Sequence, residues 1–270
     1  MLQKIKEAAA FIQDRFQPEA EIAIVLGSGL GDFAHEIKLI DAVSYQDIPH
    51  FPVSEVPGHA GRLIYGEVKG KKVLAMQGRF HYYEGFTMQE CTIHVRVFSL
   101  LGIKKLLVSN AAGGLNPKFK VGDLMMISDH INHFGDNPLR GKNLETFGTR
   151  FPAMNDAYSP VLRALASEIA NEKDLSLQEG VYLGLAGPNF ETQAELKFFS
   201  IIGADAVGMS TVPEVLVARH CGLEVFGMSI ITNLAVPGLN EEASHEEVQD
   251  AAQITAPKVK MLFEELIARC

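Results

Sequence analysis

Short apolar runs alternate with helical patterns along this chain. Near the start, apolar residues recur every three or four positions and predict an amphipathic helix that Pro18 ends. A continuous apolar run at residues 22–26 follows, and glycines close it, as is typical of a strand buried on both faces. Similar runs recur at residues 73–76, 105–108, 124–127, 181–185 and 225–231. Because the predicted strands alternate with helices, the pattern predicts an α/β fold: a single domain over residues 1–270, with a mixed, largely parallel central sheet covered by helices.

Four predicted helices begin with a Ser/Thr-x-x-Glu capping box, in which two side chains satisfy the first backbone amides of the helix. The four boxes are Thr87 to Glu90, Thr192 to Glu195, Thr211 to Glu214 and Ser244 to Glu247. In an open α/β sheet, the loops that leave the carboxyl ends of the strands converge on one rim. We therefore expect residues 79–84, 190–191, 207–210 and 232–233 to share one pocket.

Charge and composition exclude several classes of protein. The formal net charge is −9, and nucleic acid or an anionic membrane surface would require a broad basic face. Charged residues interrupt the apolar positions at the N-terminus, and no apolar run approaches the length of a membrane span. The three cysteines, Cys91, Cys221 and Cys270, are too far apart to suggest a disulfide framework or a zinc knuckle. We expect a cytoplasmic protein with reduced thiols and without a membrane or nucleic acid partner.

Two segments are candidates for binding an oxyanion. The glycine cluster at residues 27–31 contains Ser28 and follows a predicted strand, so it predicts either a phosphate-binding turn or a purely structural one. Arg79 and His81 lie two residues apart, and an extended backbone points both side chains the same way, which suits a phosphate. The alternative is that Arg79 pairs with Glu84 and that His81 is a core histidine; for an isolated Arg-x-His this alternative is favoured.

The remaining histidines carry weaker signals. His59 lies in a glycine-rich loop, with no more reason to bind a ligand than to fill a structural role. We expect packing roles for His94, His130, His133 and His220. Because no His-Glu-x-x-His, EF-hand or cysteine-rich ligand set is present, no metal site is predicted.

Taken in order, eight stretches carry a family likeness. They are Gly-Ser-Gly-Leu-Gly at 27–31, Val-Pro-Gly-His-Ala-Gly-Arg at 56–62, Gln-Gly-Arg-Phe-His-Tyr-Tyr-Glu-Gly at 77–85, Ser-Asn-Ala-Ala-Gly-Gly-Leu-Asn-Pro at 109–117, Arg-Phe-Pro-Ala-Met at 150–154, Ala-Gly-Pro-Asn-Phe-Glu-Thr at 186–192, Gly-Ala-Asp-Ala-Val-Gly-Met-Ser-Thr-Val-Pro-Glu at 203–214 and Ile-Thr-Asn at 231–233. With these stretches the chain resembles the trimeric purine nucleoside phosphorylases that act on 6-oxopurine nucleosides, over nearly its whole length.

The resemblance implies an activity and a set of partners. The activity is phosphorolysis of inosine- and guanosine-type (deoxy)ribonucleosides to free base and (deoxy)ribose 1-phosphate, in purine salvage. The fold would be that of the phosphorylases and related hydrolases, and the assembly a homotrimer. Inorganic phosphate would be a co-substrate, and no cofactor or metal would be needed.

The resemblance also implies roles for individual residues. The phosphate would be bound by Ser28, His59, Arg79, His81, Ser210 and the backbone amide of Ala111. The ribose would be held by Tyr83, Met209 and His245, with Phe151 reaching across from a neighbouring subunit. The base would be held by Phe190, Glu191, Val207 and Asn233. The catalytic residues implied are Asn233, Glu191 and His81.

The Glu191 and Asn233 pair bears on the choice of base. A carboxylate accepts hydrogen bonds from the N–H groups of a 6-oxopurine, and an amide can both donate to and accept from the base. A 6-aminopurine has a ring nitrogen without a hydrogen at the position that faces Glu191, so two hydrogen-bond acceptors would meet. Each buried polar group left unpaired costs about 1 to 3 kcal/mol. We therefore expect adenosine to be a poor substrate. The alternatives are a nucleoside hydrolase, a phosphorylase of the methylthioadenosine type that prefers 6-aminopurines, and a nucleoside-binding module without activity.

Overall fold

The computed structural model describes residues 1–27, 30–54, 60–239 and 244–270, apart from the side chains of Asp32 and His245. Within those residues the α-helices are α1 (Leu2–Phe16), α2 (Met88–Cys91), α3 (Ile93–Leu100), α4 (Pro160–Glu172), α5 (Gln193–Ile201), α6 (Val212–His220) and α7 (His245–Arg269). Short 3₁₀ helices occupy Gly31–Glu36, Tyr45–Asp47 and Tyr82–Glu84. No helix in the described part of the chain is long and apolar enough to cross a membrane.

The strands form one mixed sheet. They are β1 (Ile22–Leu26), β2 (Lys38–Ser44), β3 (Arg62–Val68), β4 (Lys71–Gln77), β5 (Lys105–Gly114), β6 (Leu124–His133), β7 (Leu177–Leu185), β8 (Ala206–Gly208) and β9 (Glu224–Leu234). Over the described residues their order is β2-β3-β4-β1-β5-β8-β7-β6-β9, and β9 also pairs with β5. The predicted fold class, a single α/β domain with a mixed sheet covered by helices, is therefore confirmed.

The extra pairing closes part of this sheet into a ring. β5 runs parallel to β9 and antiparallel to β8. β6 runs antiparallel to β9 and parallel to β7, which in turn pairs with β8. Hydrogen bonds thus pass from β5 through β8, β7, β6 and β9 back to β5. The pattern of apolar runs predicted β5, β6, β7 and β9, but it predicted neither the short strand β8 nor this closure.

Each face of the sheet carries its own core. Successive side chains of a strand point to opposite faces, so Ala23 and Val25 join the core beneath α1, α3 and α6. Ile22, Ile24 and Leu26 join the core beneath α4 and α7. All five residues are buried, so the prediction that residues 22–26 are covered on both faces is confirmed.

Three of the four predicted capping boxes form. In α2, α5 and α7 the cap side chain accepts from the third helical amide, and the glutamate reaches back to the cap amide. The fourth prediction, Thr211 with Glu214 at the start of α6, is wrong. Thr211 has φ of 68° and makes no capping hydrogen bond, because its hydroxyl accepts from Asn110 Nδ2 at 2.8 Å and Glu214 is directed into the protein.

Candidate active site

A cavity of about 390 Å³ opens where β5, β8 and β9 end. The four segments expected to converge all contribute to its wall, although they are far apart in sequence. The predicted site residues that line it are Arg79, His81, Tyr83, Ala111, Phe190, Glu191, Val207, Met209, Ser210 and Asn233. Ligand sites at the carboxyl ends of strands are the rule for α/β sheets.

Arg79 is the buried cation at one end of the cavity, with 1% of its surface exposed. Its Nη1 donates to the carbonyl oxygen of Ser109 at 2.6 Å and lies 3.3 Å from Ser210 Oγ. Its Nη2 lies 3.1 Å from the carboxylate of Glu214. The expected alternative partner, Glu84, is therefore wrong, since the ion pair of Arg79 is with Glu214.

His81 lies beside this cation and binds Glu84. Its Nδ1 is 3.1 Å from Glu84 Oε1, and the same oxygen accepts from the His81 backbone amide at 2.9 Å. Its ring stacks on Tyr83 with centroids 4.7 Å apart. Burial lowers the pKa of His81 and outweighs the hydrogen bond to Glu84, which acts to raise it. The imidazole is therefore neutral near pH 7, and its Nδ1 carries the proton that faces the Glu84 carboxylate.

The end of β5 passes close behind Arg79. Ser109 Oγ accepts from the Gly27 amide at 3.3 Å and donates to the carbonyl of Val25 at 3.2 Å, which ties β5 to the end of β1. A Cβ on Gly27 would lie 2.4 Å from the carbonyl oxygen of Ser109 and 3.0 Å from Arg79 Nη1. Glycine is required here because the two backbones approach too closely for any side chain.

The amino end of α6 follows Ser210 directly, so the positive end of the helix dipole faces the same end of the cavity. The Ala111 segment of β5 also lines the cavity. A buried guanidinium, an imidazole, a hydroxyl and a helix amino end thus surround one small volume. This set of donors fits an oxyanion that carries two charges.

The other end of the cavity is mostly apolar, with two polar groups. Asn233 near the end of β9 accepts from the Thr232 hydroxyl through Oδ1 at 3.2 Å, which directs its Nδ2 away from that contact. Burial raises the pKa of Glu191, and the neighbouring charge of Glu195 adds to the rise. Val207 and the half-exposed Phe190 supply apolar walls. A flat ring with polar edges fits this end.

Not every predicted site residue lies in the cavity wall. Ser28 and His59 fall outside the described residues, and of His245 the structure gives only the backbone, at the first position of α7. Val248, one turn further along α7, does line the cavity. Phe151 is 85% exposed and does not reach the cavity of its own subunit.

The remaining histidines have the packing roles expected of them, with one addition. His130 Nδ1 lies 3.2 Å from the Tyr158 hydroxyl, and the His133 ring packs on Phe199. His220 lies between Arg96 and the side chain of Asn143. His94 is fully buried and packs on aromatic rings, which agrees with the expected packing role, but its Nε2 lies 3.2 Å from Glu214, the partner of Arg79. Sequence reasoning missed this link, because Glu214 fits a capping box equally well.

Among the described residues, no group of three histidine, cysteine or acidic side chains is arranged to hold a metal ion.

Comparison with known proteins gives consistent matches. A profile described as the phosphorylase superfamily matches residues 21–268. Purine nucleoside phosphorylase 1 of Geobacillus stearothermophilus is 51% identical over 259 residues, which cover 96% of this chain and 93% of that protein. Purine nucleoside phosphorylase of Schistosoma mansoni in complex with adenosine superposes with a TM-score of 0.93 at 42% identity, covering 99% of this chain and 97% of that one. A Schistosoma purine nucleoside phosphorylase in complex with guanosine superposes with a TM-score of 0.91 over the same shares at 42% identity.

Proposed function

Because the chain belongs to the phosphorylase superfamily, we propose that it uses inorganic phosphate to split 6-oxopurine nucleosides such as inosine and guanosine. The products are the free base and ribose 1-phosphate, or deoxyribose 1-phosphate from a deoxynucleoside. One observation carries the proposal: a single cavity joins a buried cationic end to an apolar end that holds a carboxylate and an amide. The similarity to purine nucleoside phosphorylases over 96% of the chain supports it.

Phosphate is assigned to the cationic end. Arg79, Ser210 and the amide of Ala111 supply donors there, and His81, Ser28 and His59 complete the proposed set. Charge-assisted hydrogen bonds contribute about 1.5 to 3 kcal/mol each, so a few of them suffice to hold the dianion. His81 belongs to this end as a neutral imidazole whose Nδ1 donates to Glu84.

The nucleoside is assigned to the rest of the cavity. Tyr83, Met209 and His245 hold the ribose. Phe190 and Val207 pack on the purine. Glu191 accepts from the ring N–H groups, and Asn233 bonds the oxo group and the adjacent ring nitrogen. Burial raises the pKa of Glu191 and so favours its protonated form. An N–H group of the base that donates to the carboxylate favours the ionised form instead.

The reaction then follows from this placement. The bond between C1′ and the purine nitrogen lengthens, and the ribosyl group gains positive charge beside the phosphate dianion. A phosphate oxygen bonds to C1′ as the purine leaves with the bonding electron pair. Asn233 stabilises the charge that develops on the base, and the proton that the phosphate gives up balances the one that the base gains. Positioning and electrostatics supply the catalysis, and the scheme requires no cofactor.

We propose further that the protein is a homotrimer and that it acts in the cytoplasm, in purine salvage. Phe151 is 85% exposed, with the guanidinium of Arg150 over its ring at 5.6 Å. Exposing a large aromatic ring to water is unfavourable, and insertion beside the ribose of a neighbouring subunit would bury it. On this proposal the ribose site of each subunit is complete only in the assembly.

Release of hypoxanthine from inosine, with and without phosphate, tests the proposal. We expect release that depends on phosphate and a much lower rate with adenosine. Release without phosphate would identify a nucleoside hydrolase instead. Faster turnover of adenosine would identify a 6-aminopurine phosphorylase of the methylthioadenosine type, and calorimetric binding of inosine without any release would identify a binding protein.

A further inference from the structure

A buried carboxylate lies directly behind the phosphate-binding end of the cavity. Glu214 is the third residue of α6 and is 3% exposed. Its Oε2 lies 3.1 Å from Arg79 Nη2, and its Oε1 lies 3.2 Å from His94 Nε2. Each oxygen of this one carboxylate thus lies within ion-pair distance of a nitrogen from a different part of the fold.

His94 reaches Glu214 from the first turn of α3. Its ring is fully buried between Phe80 and Phe98, with centroids 5.8 Å away on each side. A carboxylate can only accept, so the Nε2 that faces Glu214 carries a proton. A polar ring among aromatic residues is costly unless it is paired, and Glu214 supplies the pairing.

Glu214 remains ionised in this setting. Burial acts to raise the pKa of Glu214, but the charge of Arg79 and then the contact with His94 outweigh it and lower the pKa. The amino end of α6 also favours an anion at this position. Glu214 therefore balances the charge of Arg79, and its contribution to the site is one of geometry.

The contacts on the two sides of Arg79 fix its guanidinium plane. Nη2 forms an ion pair with Glu214 at 3.1 Å, and Nη1 donates a hydrogen bond to the carbonyl of Ser109 at 2.6 Å. The carboxylate of Glu214 cannot rotate about its own axis without losing His94. The guanidinium is consequently held with Nη1 at 3.3 Å from Ser210 Oγ, in the cavity wall.

We propose that Glu214 and His94 are positioning residues for the phosphate site, which hold the Arg79 guanidinium in the one orientation that meets the bound phosphate. Neither residue lines the cavity, so neither touches phosphate or nucleoside. Their influence is confined to the phosphate end, because their contacts run through Arg79. This inference rests on the proposed function, since it assigns phosphate to Arg79.

The first test replaces His94→Phe, which keeps an aromatic ring of similar size and removes the N–H donor. We expect the KM for phosphate to rise by about tenfold, the typical effect of losing one hydrogen bond to a charged group. The KM for inosine at saturating phosphate should stay within about twofold. His94→Gln offers an N–H donor to the same carboxylate and should restore most of the phosphate KM.

His220→Phe is the matched control. This histidine, at the end of α6, is buried like His94, but its polar partner is Arg96, which lies outside the cavity wall. Its loss should lower the melting temperature without changing the KM for phosphate. If both variants raise the phosphate KM equally, or neither does, the positioning role is refuted.

A double-mutant cycle tests whether the effect passes through Arg79. Arg79→Lys keeps the positive charge beside Glu214 but has no planar fork to orient. In that background, His94→Phe should change the phosphate KM by less than about twofold, because the coupling is lost. An unchanged tenfold effect would show that His94 acts by another route.

Glu214→Asp provides a second, independent variant if His94→Phe does not fold. It keeps the charge and withdraws the carboxylate by one methylene group. We expect a higher phosphate KM and a weaker calorimetric affinity for phosphate alone, and unchanged values of both would overturn the inference. If the unmodified enzyme itself releases hypoxanthine without phosphate, the proposed function fails, whereas a phosphate-dependent enzyme with unaffected variants refutes only the positioning role.

Discussion

Replacing Arg79→Met should destabilise the fold mainly by leaving Glu214 without its cation. The two side chains are only 2% and 4% exposed, so water cannot take the place of the lost partner. Removing one member of such a buried ion pair costs about 3 to 5 kcal/mol. In a chain of this size each kcal/mol corresponds to about 2 to 4 °C, so the melting temperature should fall by on the order of 10 °C.

The double variant Arg79→Met with Glu214→Met should recover most of this loss. Replacing both ions by apolar side chains of similar length is often neutral, because no buried charge remains. The Nε2–H of His94 then lacks its acceptor, which costs about 1 to 3 kcal/mol. We therefore expect the double variant to lie between the single variant and the unmodified protein in its free energy of unfolding.

The difference in stability between Arg79→Met and the unmodified protein should depend on pH. The pKa of Glu214 in the folded protein is lowered, so its contribution to stability is present above its unfolded pKa and is lost as the pH falls through the folded value. In Arg79→Met the main lowering cause is gone and burial raises that pKa. The single variant should therefore lose less stability than the unmodified protein on acidification, and the gap between them should narrow.

Urea unfolding followed by circular dichroism at pH 7.5 and pH 5 measures both effects. Two results would refute the reasoning: a double variant less stable than Arg79→Met alone, or a gap between the single variant and the unmodified protein that does not change with pH. Either would mean that the Arg79 and Glu214 charges are not coupled in the folded state.

Three further predictions concern the substrate site. Asn233→Asp should lower kcat/KM for inosine by about 10²-fold, because two hydrogen bonds to the base are lost, and it should raise the relative use of adenosine. Asn171→Asp on α4 is the matched control, and an unchanged ratio of inosine to adenosine turnover in Asn233→Asp would contradict the assignment. The KM for inosine should rise as the pH falls through the raised pKa of Glu191, because only the ionised carboxylate accepts hydrogen bonds from the base. In an assay from pH 5 to 8, Glu191→Gln should remove this pH dependence. Phe151→Ala should raise the KM for inosine without changing that for phosphate, whereas Val161→Ala, an equally superficial apolar truncation, should change neither.

Much of the fold follows from local sequence patterns. The run at 22–26 predicted a strand covered on both faces, and its side chains do enter two separate cores. Thr87, Thr192 and Ser244 predicted helix starts that form as capping boxes. These features are predictable because strand alternation, helical periodicity and capping depend on residues within a few positions of one another.

The choice between distant partners was not predictable in the same way. Glu214 fits a capping box with Thr211, and Glu84 is near Arg79 in sequence, so local spacing favoured two pairings that the protein does not make. The carboxylate of Glu214 enters the core because α6 packs against α3, which brings it between Arg79 and His94. A buried cation requires a counter-charge, and the fold decides which anion is within reach.

The sequence by itself therefore determined the α/β class, six of the nine strands in the described part of the chain, the capped starts of α2, α5 and α7, and the residue types that a phosphate and a purine require. Only the tertiary structure decided that β9 pairs back to β5 and that Glu214 pairs with Arg79. The reason is physical: periodicity reports which side of an element is buried, whereas ion pairs and cavities depend on which elements meet.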